Sequence, residues 1–231
     1  YVAVLNNDLE LAPDWLERLL SALAADERLA GVEGKTLLFA DRSVIDGAGD
    51  AIARNGHPRR RGHGDPDDGR WDEPSEIFNC SFTAALFRTA AFDDVGDLDT
   101  DLVAYHEDTD WGYRARLRGW RFAYVPGAVA HHHGSATTRQ TPSRFTHLII
   151  RNAILLSVKN LPGPLAVRWL PRILAFQVLW LVRNVAHGIG RQHLRALAGV
   201  VRLLPRWLRK RRAVQRRRTV ATAELARLFE D

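Results

Sequence analysis

The sequence predicts an α/β domain over residues 1–138, followed by an α-helical, basic region over 139–231. Three observations predict it. Up to about Ser135, short apolar runs alternate with amphipathic stretches, the sequence form of strands and helices packed in layers. Beyond it, long helical stretches take over. The charge divides in the same way. Residues 151–231 hold 17 Lys and Arg against three Asp and Glu, and the rest holds 16 against 24.

Tyr1–Leu5 is a near-continuous apolar run, which predicts a strand buried on both faces of a parallel sheet. It ends in Asn6-Asn7-Asp8. Pro13 suits a first helical turn, and Leu16, Leu19, Leu20 and Leu23 follow at i, i+3, i+4, i+7, so a helix is expected over Pro13–Ala25. A second strand is expected over Val32–Phe39. Residues 46–75 are rich in Gly, Asp, Pro and Arg and read as a long loop centred on Arg59-Arg60-Arg61-Gly62-His63-Gly64-Asp65-Pro66. A loop of that length inside a compact domain is usually functional or mobile. Ile77–Arg88 suits a strand, and Glu107–Arg118 a helix ended by Gly119. Phe122–Val125 and Ala128–His132 read as two short strands broken by Pro126-Gly127. Thr137–Ser143 reads as a polar linker. Helices are then expected over Phe145–Asn160, Leu165–His187, His193–Lys210 and Thr222–Phe229.

Composition narrows the function classes. Apolar residues at 46% and charged residues at 26% exclude a disordered or collagen-like chain. One cysteine excludes a disulfide framework and a multi-cysteine zinc site. Asn79-Cys80-Ser81 matches a glycosylation sequon, but no other feature suggests secretion. The chain has no methionine and opens directly on an apolar run, so an N-terminally truncated fragment is expected. Arginine outnumbers lysine 30 to 3, which suggests a GC-rich bacterial genome.

Four constellations could carry chemistry. Asn6-Asn7-Asp8 closes a buried strand, where open α/β sheets place ligands, and Asp8 suits a hard divalent cation; the same residues also favour a plain turn. Glu107, Asp108 and Asp110 crowd the start of a helix, whose positive end favours ionised carboxylates. An ionised Asp108 could take a proton from an attacking hydroxyl, and N-terminal capping explains the cluster as well. His131-His132-His133 alternates faces in a strand, so one useful histidine with two bystanders is expected over a three-histidine site. The fourth is C-terminal: an apolar run, Ile173–Val182, between Arg172 and Arg183, then eight Lys and Arg within Arg206–Arg218 around Trp207 and Leu208. That combination suits an anionic membrane surface; a spanning helix and a solvated or nucleic-acid-binding face are the alternatives.

Taken together and in order, these residues resemble the family 2 glycosyltransferases of GT-A (Rossmann-like) fold, most of all their bacterial rhamnosyltransferase-like branch. The matching stretches are VAVLNNDLELAPDWLERLL, FNCSFTAALFRTAAFDDVGDLD, YHEDTDWGYRARLRGWRFAYVPGAVAHHHGSAT and RNAILLSVKNLP. The resemblance implies a DXD-type motif at Asn6-Asn7-Asp8, with Asn6 in place of the first acid. It makes Asn6 and Asp8 donor-binding, and Asp8 metal-facing. It places the acidic pair at Glu107-Asp108, with Asp108 the general base. Asp110 and Trp111 fall among acceptor-side and structural residues. His132, two residues before Gly134-Ser135, would meet the metal or diphosphate, and Asn79–Ala85 would line the acceptor and sugar pocket.

The implied reaction is inverting transfer of a sugar, rhamnose by the branch, from a nucleotide-diphosphate sugar to a hydroxyl of a glycan or lipid-linked acceptor. A divalent cation, Mg²⁺ or Mn²⁺, is implied, as is a peripheral or monotopic place on the cytoplasmic face of the bacterial inner membrane in cell-envelope polysaccharide synthesis. The family's nucleotide-binding half precedes the DXD strand, so about 60–100 further residues are expected upstream, at roughly 30 or more per βαβ unit, and this chain by itself is expected to be inactive. A non-catalytic membrane scaffold and a basic nucleic-acid-binding protein are the rival readings. No nucleic acid is expected, because the positive charge is confined to the tail and no binding motif accompanies it.

Overall fold

The structure, a computed structural model, describes the backbone of residues 1–134 and 142–231 and the side chains of 1–134 and 145–231. A mixed seven-stranded sheet organises the first part. It is built from β1 (Val2–Leu5), β2 (Leu9–Leu11), β3 (Leu29–Leu38), β4 (Ile45–Gly47), β7 (Ser75–Glu76), β8 (Ala84–Phe87) and β9 (Arg121–His132). The order is β1-β8-β3-β9-β2, with β4 added to β3 and β7 to β9. Strands β5 (Asp50–Ile52) and β6 (Pro58–Arg60) form a separate hairpin.

The two longest strands, β3 and β9, pair in parallel at the sheet's centre. Helix α1 (Trp15–Ala25) covers one face, burying Trp15, Leu19 and Leu23 against Val32, Leu86 and Ala130. Leu16 and Leu20, also in the apolar spacing, stay exposed on its outer side. On the opposite face, α2 (Thr89–Val95) brings Ala91 and Val95, and α3 (Glu107–Leu117) brings Trp111 and Ala115, into a core with Phe87, Phe122 and Tyr124. Among the described residues, the C-terminal part is four helices: α4 (Pro142–Asn160), α5 (Gly163–Ala186), α6 (Gly190–Arg216) and α7 (Thr222–Ala226).

Three expectations change. Strand β1 is neither buried nor parallel: it lies at the sheet's edge, pairs antiparallel with β8 alone, and leaves Val2 and Leu5 exposed. Residues 46–75 are no continuous loop, since they carry β5, β6 and parts of β4 and β7, and residues 45–53 are buried. These strands are two or three residues long, too short to show a period of two, and they bury Asp46 and Asp50. The break at Pro126-Gly127 is a bulge inside one strand. The register passes from Gly34↔Val125 to Lys35↔Val129, and a Cβ on Gly34 would overlap the Ala128 carbonyl.

The boundary expected at 138/139, like residues 137–141 of the expected linker, lies outside the described residues, and 142–143 begin α4. Helix α4 is bound into the first part through buried charge. Lys159 Nζ meets Asp110 Oδ2 at 2.8 Å and Asp99 Oδ2 at 2.7 Å, and Asn160 Nδ2 donates to Asp110 Oδ1 at 2.8 Å. Trp207 of α6 packs on Leu102 and Leu155. Leu225 and Phe229 close a core with Phe78, Tyr113 and Trp169. The helices after residue 141 are therefore joined to the first part through α3, the segments around Phe78 and Leu102, and Ile52 of the β5–β6 hairpin.

Asp110 is fully buried beside Arg114 (3.0 Å) and Lys159. Removing one partner of such a buried cluster leaves uncompensated charge, at a cost of about 3–5 kcal/mol. Asp110→Ala is expected to lower the urea midpoint by a corresponding amount; a change below about 1 kcal/mol would contradict the role assigned to this cluster.

Candidate functional site

A cleft of about 550 Å³ opens where the carboxyl ends of β1 and β9 meet the start of α3 and the β5–β6 hairpin. Asn6, Asp8, Ser81, Glu107, Asp108 and His132 all line it. The sequence placed these residues far apart, and the sheet brings them together.

Backbone pairing fixes the first group. Asn6 N–H donates to Thr83 O at 2.8 Å, and His133 N–H to Asp8 O at 3.0 Å. Strand β2 pairs Leu9 with His132, which holds Asp8 beside that histidine. Alternation along β9 sorts the three histidines. His132 is buried and lines the cleft, while His133 stacks on Phe39 with ring centroids 3.7 Å apart. His132 Nε2 lies 3.2 Å from Asp8 Oδ1 and 3.5 Å from Asn6 Nδ2. Its Nδ1 lies 2.8 Å from Asp46 Oδ2. Burial alone would push the Asp46 carboxyl up, but its hydrogen bond with His132 and the nearby Arg60, His132 and His63 hold it below its ordinary value.

Asp8 Oδ1 and His132 Nε2 suit two neighbouring ligands of one hard cation, since bonds of about 2.1 Å at right angles put ligand atoms about 3 Å apart. Among the described residues no group of three His, Cys, Asp or Glu side chains converges at coordinating distance. The donor set thus fits an ion that keeps most of its positions for water or phosphate oxygens.

The second group sits on a strained approach. Val103, Tyr105 and His106 all have φ near +67°, at 68°, 68° and 66°. Such residues cost about 1–3 kcal/mol each and persist only where surrounding structure holds them. Here Asn152 of α4, fully buried, turns its Nδ2 to Leu102 O (3.0 Å), Ala104 O (2.9 Å) and Tyr105 O (2.8 Å). Arg151 Nη2 adds bonds to Asp101 O and Leu102 O. The chain then enters α3 with Glu107 and Asp108 at the cleft. Asp108 Oδ2 accepts from Phe82 N–H at 3.3 Å and Oδ1 from Thr109 N–H at 2.6 Å, so the carboxylate is fixed in place. Burial first, and then the Asp108 charge, push Glu107 up. Burial pushes His106 down, against the opposing pull of Asp108.

Asp110 and Trp111 do not line the cleft. Asp110 points into the α3–α4 ion cluster, and Trp111 stacks on Phe92 at 4.3 Å within the core, so the expected acceptor-side placement gives way to a structural one. Of Asn79–Ala85, Ser81, Phe82 and Thr83 reach the cleft.

Sequence reasoning missed Asp46, Asp50, Glu33, Arg60 and Asn152. The first, second and fourth fall in the stretch read as loop; their one signal was acids set among small apolar residues in Ile45-Asp46-Gly47-Ala48-Gly49-Asp50-Ala51. Asp50 lines the cleft and accepts from Asn79 Nδ2 at 2.9 Å. Burial, then the Asp108 charge, raise it to about 7, against Arg60 and Asn79. Glu33 accepts from Ser81 N–H at 2.7 Å and is likewise pushed well up, by burial and then by Asp50.

Comparison with known proteins agrees with the resemblance. Residues 75–153 match the family described as "Glycosyltransferase like family 2". The match runs through the expected domain boundary and ends one residue past Asn152. Two curated relatives, both named N-acetylglucosaminyl-diphospho-decaprenol L-rhamnosyltransferase, come from Mycobacterium tuberculosis strains CDC 1551 / Oshkosh and ATCC 25618 / H37Rv. Each is 32% identical over 155 residues, which is 62% of this chain and 50% of the relative. The chain thus spans about half the length of the curated relatives it matches. A solved structure, GalNAc-T7 with UDP, GalNAc and Mn²⁺, aligns with a TM-score of 0.48 and 16% identity over 68% of this chain and 31% of that one. In sequence, then, residues 75–153 are similar to glycosyltransferase family 2, and a longer stretch of the chain is similar to two proteins named as rhamnosyltransferases.

Asp50 yields a pH prediction. The folded chain keeps its proton up to about pH 7, whereas the unfolded chain releases it near the model-peptide value of 3.8. The folded state therefore binds more protons between those limits, and stability falls as pH rises through them. Asp50→Asn is expected to flatten that fall and to melt higher than wild type at about pH 8. Parallel melting curves for the two proteins between about pH 5 and pH 8 would contradict the raised value.

Proposed function

We propose that this chain forms the acceptor side and the cation-binding edge of an inverting glycosyltransferase. It moves a sugar, rhamnose by analogy with the relatives' names, from a nucleotide-diphosphate sugar to a hydroxyl of a lipid-linked glycan. The observation that carries this reading is that Asp8, His132 and the Glu107-Asp108 pair line one cleft.

Asp8 and His132 would hold a divalent cation, which when bound supplies positive charge beside a leaving diphosphate. Asp108 faces the acceptor hydroxyl. As that oxygen attacks the anomeric carbon from the side opposite the diphosphate, the new C–O bond forms and the bond to the diphosphate oxygen breaks with its electron pair. The hydroxyl proton passes to an Asp108 carboxylate oxygen. General-base help of this kind contributes typically about 10²–10⁴-fold. Phe82 N–H and Thr109 N–H keep the carboxylate from swinging away between turnovers.

The helical part supports a place at a membrane surface, which the resemblance makes the cytoplasmic one. Helix α5 is long and apolar enough to cross a bilayer by length and composition, and only 11% of its most apolar window is buried. Leu174, Val178, Leu179 and Val182 are all more than half exposed. The Arg-rich α6 next to it suits anionic headgroups.

Two outcomes follow. In the full-length protein that carries this chain, Asp108→Asn should lower turnover of nucleotide-diphosphate rhamnose with an N-acetylglucosaminyl diphosphate lipid by about 10²–10⁴-fold at unchanged melting temperature; wild-type-like turnover refutes the base assignment. Leu174→Glu combined with Val178→Glu should cut sedimentation with vesicles containing anionic phospholipid at least about tenfold, since each buried Leu or Val is worth about 1.5–3 kcal/mol. Undiminished vesicle binding would remove α5 from the membrane contact.

A further inference from the structure

We propose that Asp46 is a positioning residue that holds the His132 imidazole with its proton on Nδ1, so that the Nε2 lone pair faces the cleft. The inference rests on the proposed function only for the identity of what Nε2 meets there.

The placement of Asp46 is unusual. Strand β4 pairs with β3 through Leu37↔Ile45 and Thr36↔Gly47, so Asp46 is the extra residue of a β-bulge. Bulges re-aim side chains beside active sites. This one sends a carboxylate that is 4% exposed past β3 to His132 on β9. The same Oδ2 atom meets Arg60 Nη1 at 3.2 Å, and a Cβ on Gly47 would overlap the Arg60 guanidinium, so the glycine makes room for that second partner.

His132 stands between two carboxylates, and each can take only one kind of partner from a neutral imidazole. Ionised carboxylates accept and do not donate. If Nδ1 carries the proton, it donates to Asp46 at 2.8 Å and Nε2 is left as a lone pair beside Asp8. If Nε2 carries it, it donates to Asp8 at 3.2 Å, and Nε2 can then be neither a metal ligand nor an acceptor. Asp46 offers the shorter contact and the drier one, with its side chain 6% exposed against 26% for Asp8. A second carboxylate behind the histidine thus decides whether the first can share a cation with it, as outer partners of ligating histidines do.

The test needs no activity. In the wild-type chain near pH 8, long-range ¹H–¹⁵N spectra should show His132 protonated on Nδ1, its signal being the one lost in His132→Gln. Asp46→Ala should move the proton to Nε2. It should also weaken Mn²⁺ binding, read from the free-ion electron paramagnetic resonance signal, by about 10–100-fold. Arg60→Gln should leave the tautomer in place and change Mn²⁺ affinity less than about twofold. A wild-type His132 protonated on Nε2 overturns the proposal without any variant having to fold. So does a tautomer unmoved by Asp46→Ala, or an Arg60→Gln protein that reproduces the Asp46→Ala effects. Absence of saturable Mn²⁺ binding in wild type would instead overturn the cation reading of the proposed function, while the tautomer still judges Asp46.

Discussion

Helix α4 grips α3 at two points, and the cleft depends on that grip. Asn152 hydrogen-bonds the carbonyls of the left-handed approach to α3, and Lys159 and Asn160 hold Asp110 in its first turn. Three non-glycine residues with positive φ do not stay in that conformation unaided. Without Asn152 the approach would relax, and Glu107 and Asp108 would lose their direction. Without Asp110 the helix would lose its register against α4. The neighbouring carboxylates Asp108 and Asp110 therefore divide the work: one faces the cleft, and the other fastens the helix that presents it.

The charges around the cleft are arranged in two ways. On the β9 side, Asp46 is matched by His132 and Arg60, and those partners keep it ionised in spite of burial. On the β8 side, Glu33 and Asp50 lie near Asp108 with Arg60 as the shared cation, and burial pushes both of them up. An acid that keeps its proton adds no negative charge beside Asp108. Deep burial without a full set of counter-ions is costly for stability, and here it moderates repulsion at the carboxylate proposed to accept a proton.

Much of the site was legible because its residues obey local rules. The α1 leucine spacing and the acid-rich start of α3 follow helical geometry, and strand alternation separates His132 from His131 and His133, although it was the resemblance that singled out His132. What escaped was set by contacts distant in sequence. Asp46 and Asp50 look like loop residues because buried polar groups are satisfied by partners 86 and 29 residues away. Asn152 sits in an apolar helix with no local sign that its amide serves carbonyls 47–50 residues earlier. Strand β1 has the apolar content of an interior strand, and within this chain it pairs with β8 alone.

The geometry of α5 ties the proposed membrane contact to the cleft. Leu165 and Trp169 anchor the start of the helix in the core around Phe78 and Phe229. Farther along, Phe176 and Trp180 pack on His57 with centroids 4.9 and 5.0 Å apart. His57 immediately precedes the strand whose Pro58, Arg59 and Arg60 line the cleft. Its imidazole is pushed down to about 4 by burial, then by the charge of His106, so near neutral pH it acts there as an uncharged packing group. The row Leu174, Val178, Val182 lies on the same helix and stays exposed. Successive members are about 6 Å apart, at 1.5 Å per residue, so the row runs about 12 Å along the helix. Phe176 and Trp180 lie about half a turn round the helix from that row, at 3.6 residues per turn, so α5 has its aromatic side on the hairpin and its aliphatic side free. Helix α5 therefore joins the proposed lipid contact on one side to the hairpin that lines the cleft on the other.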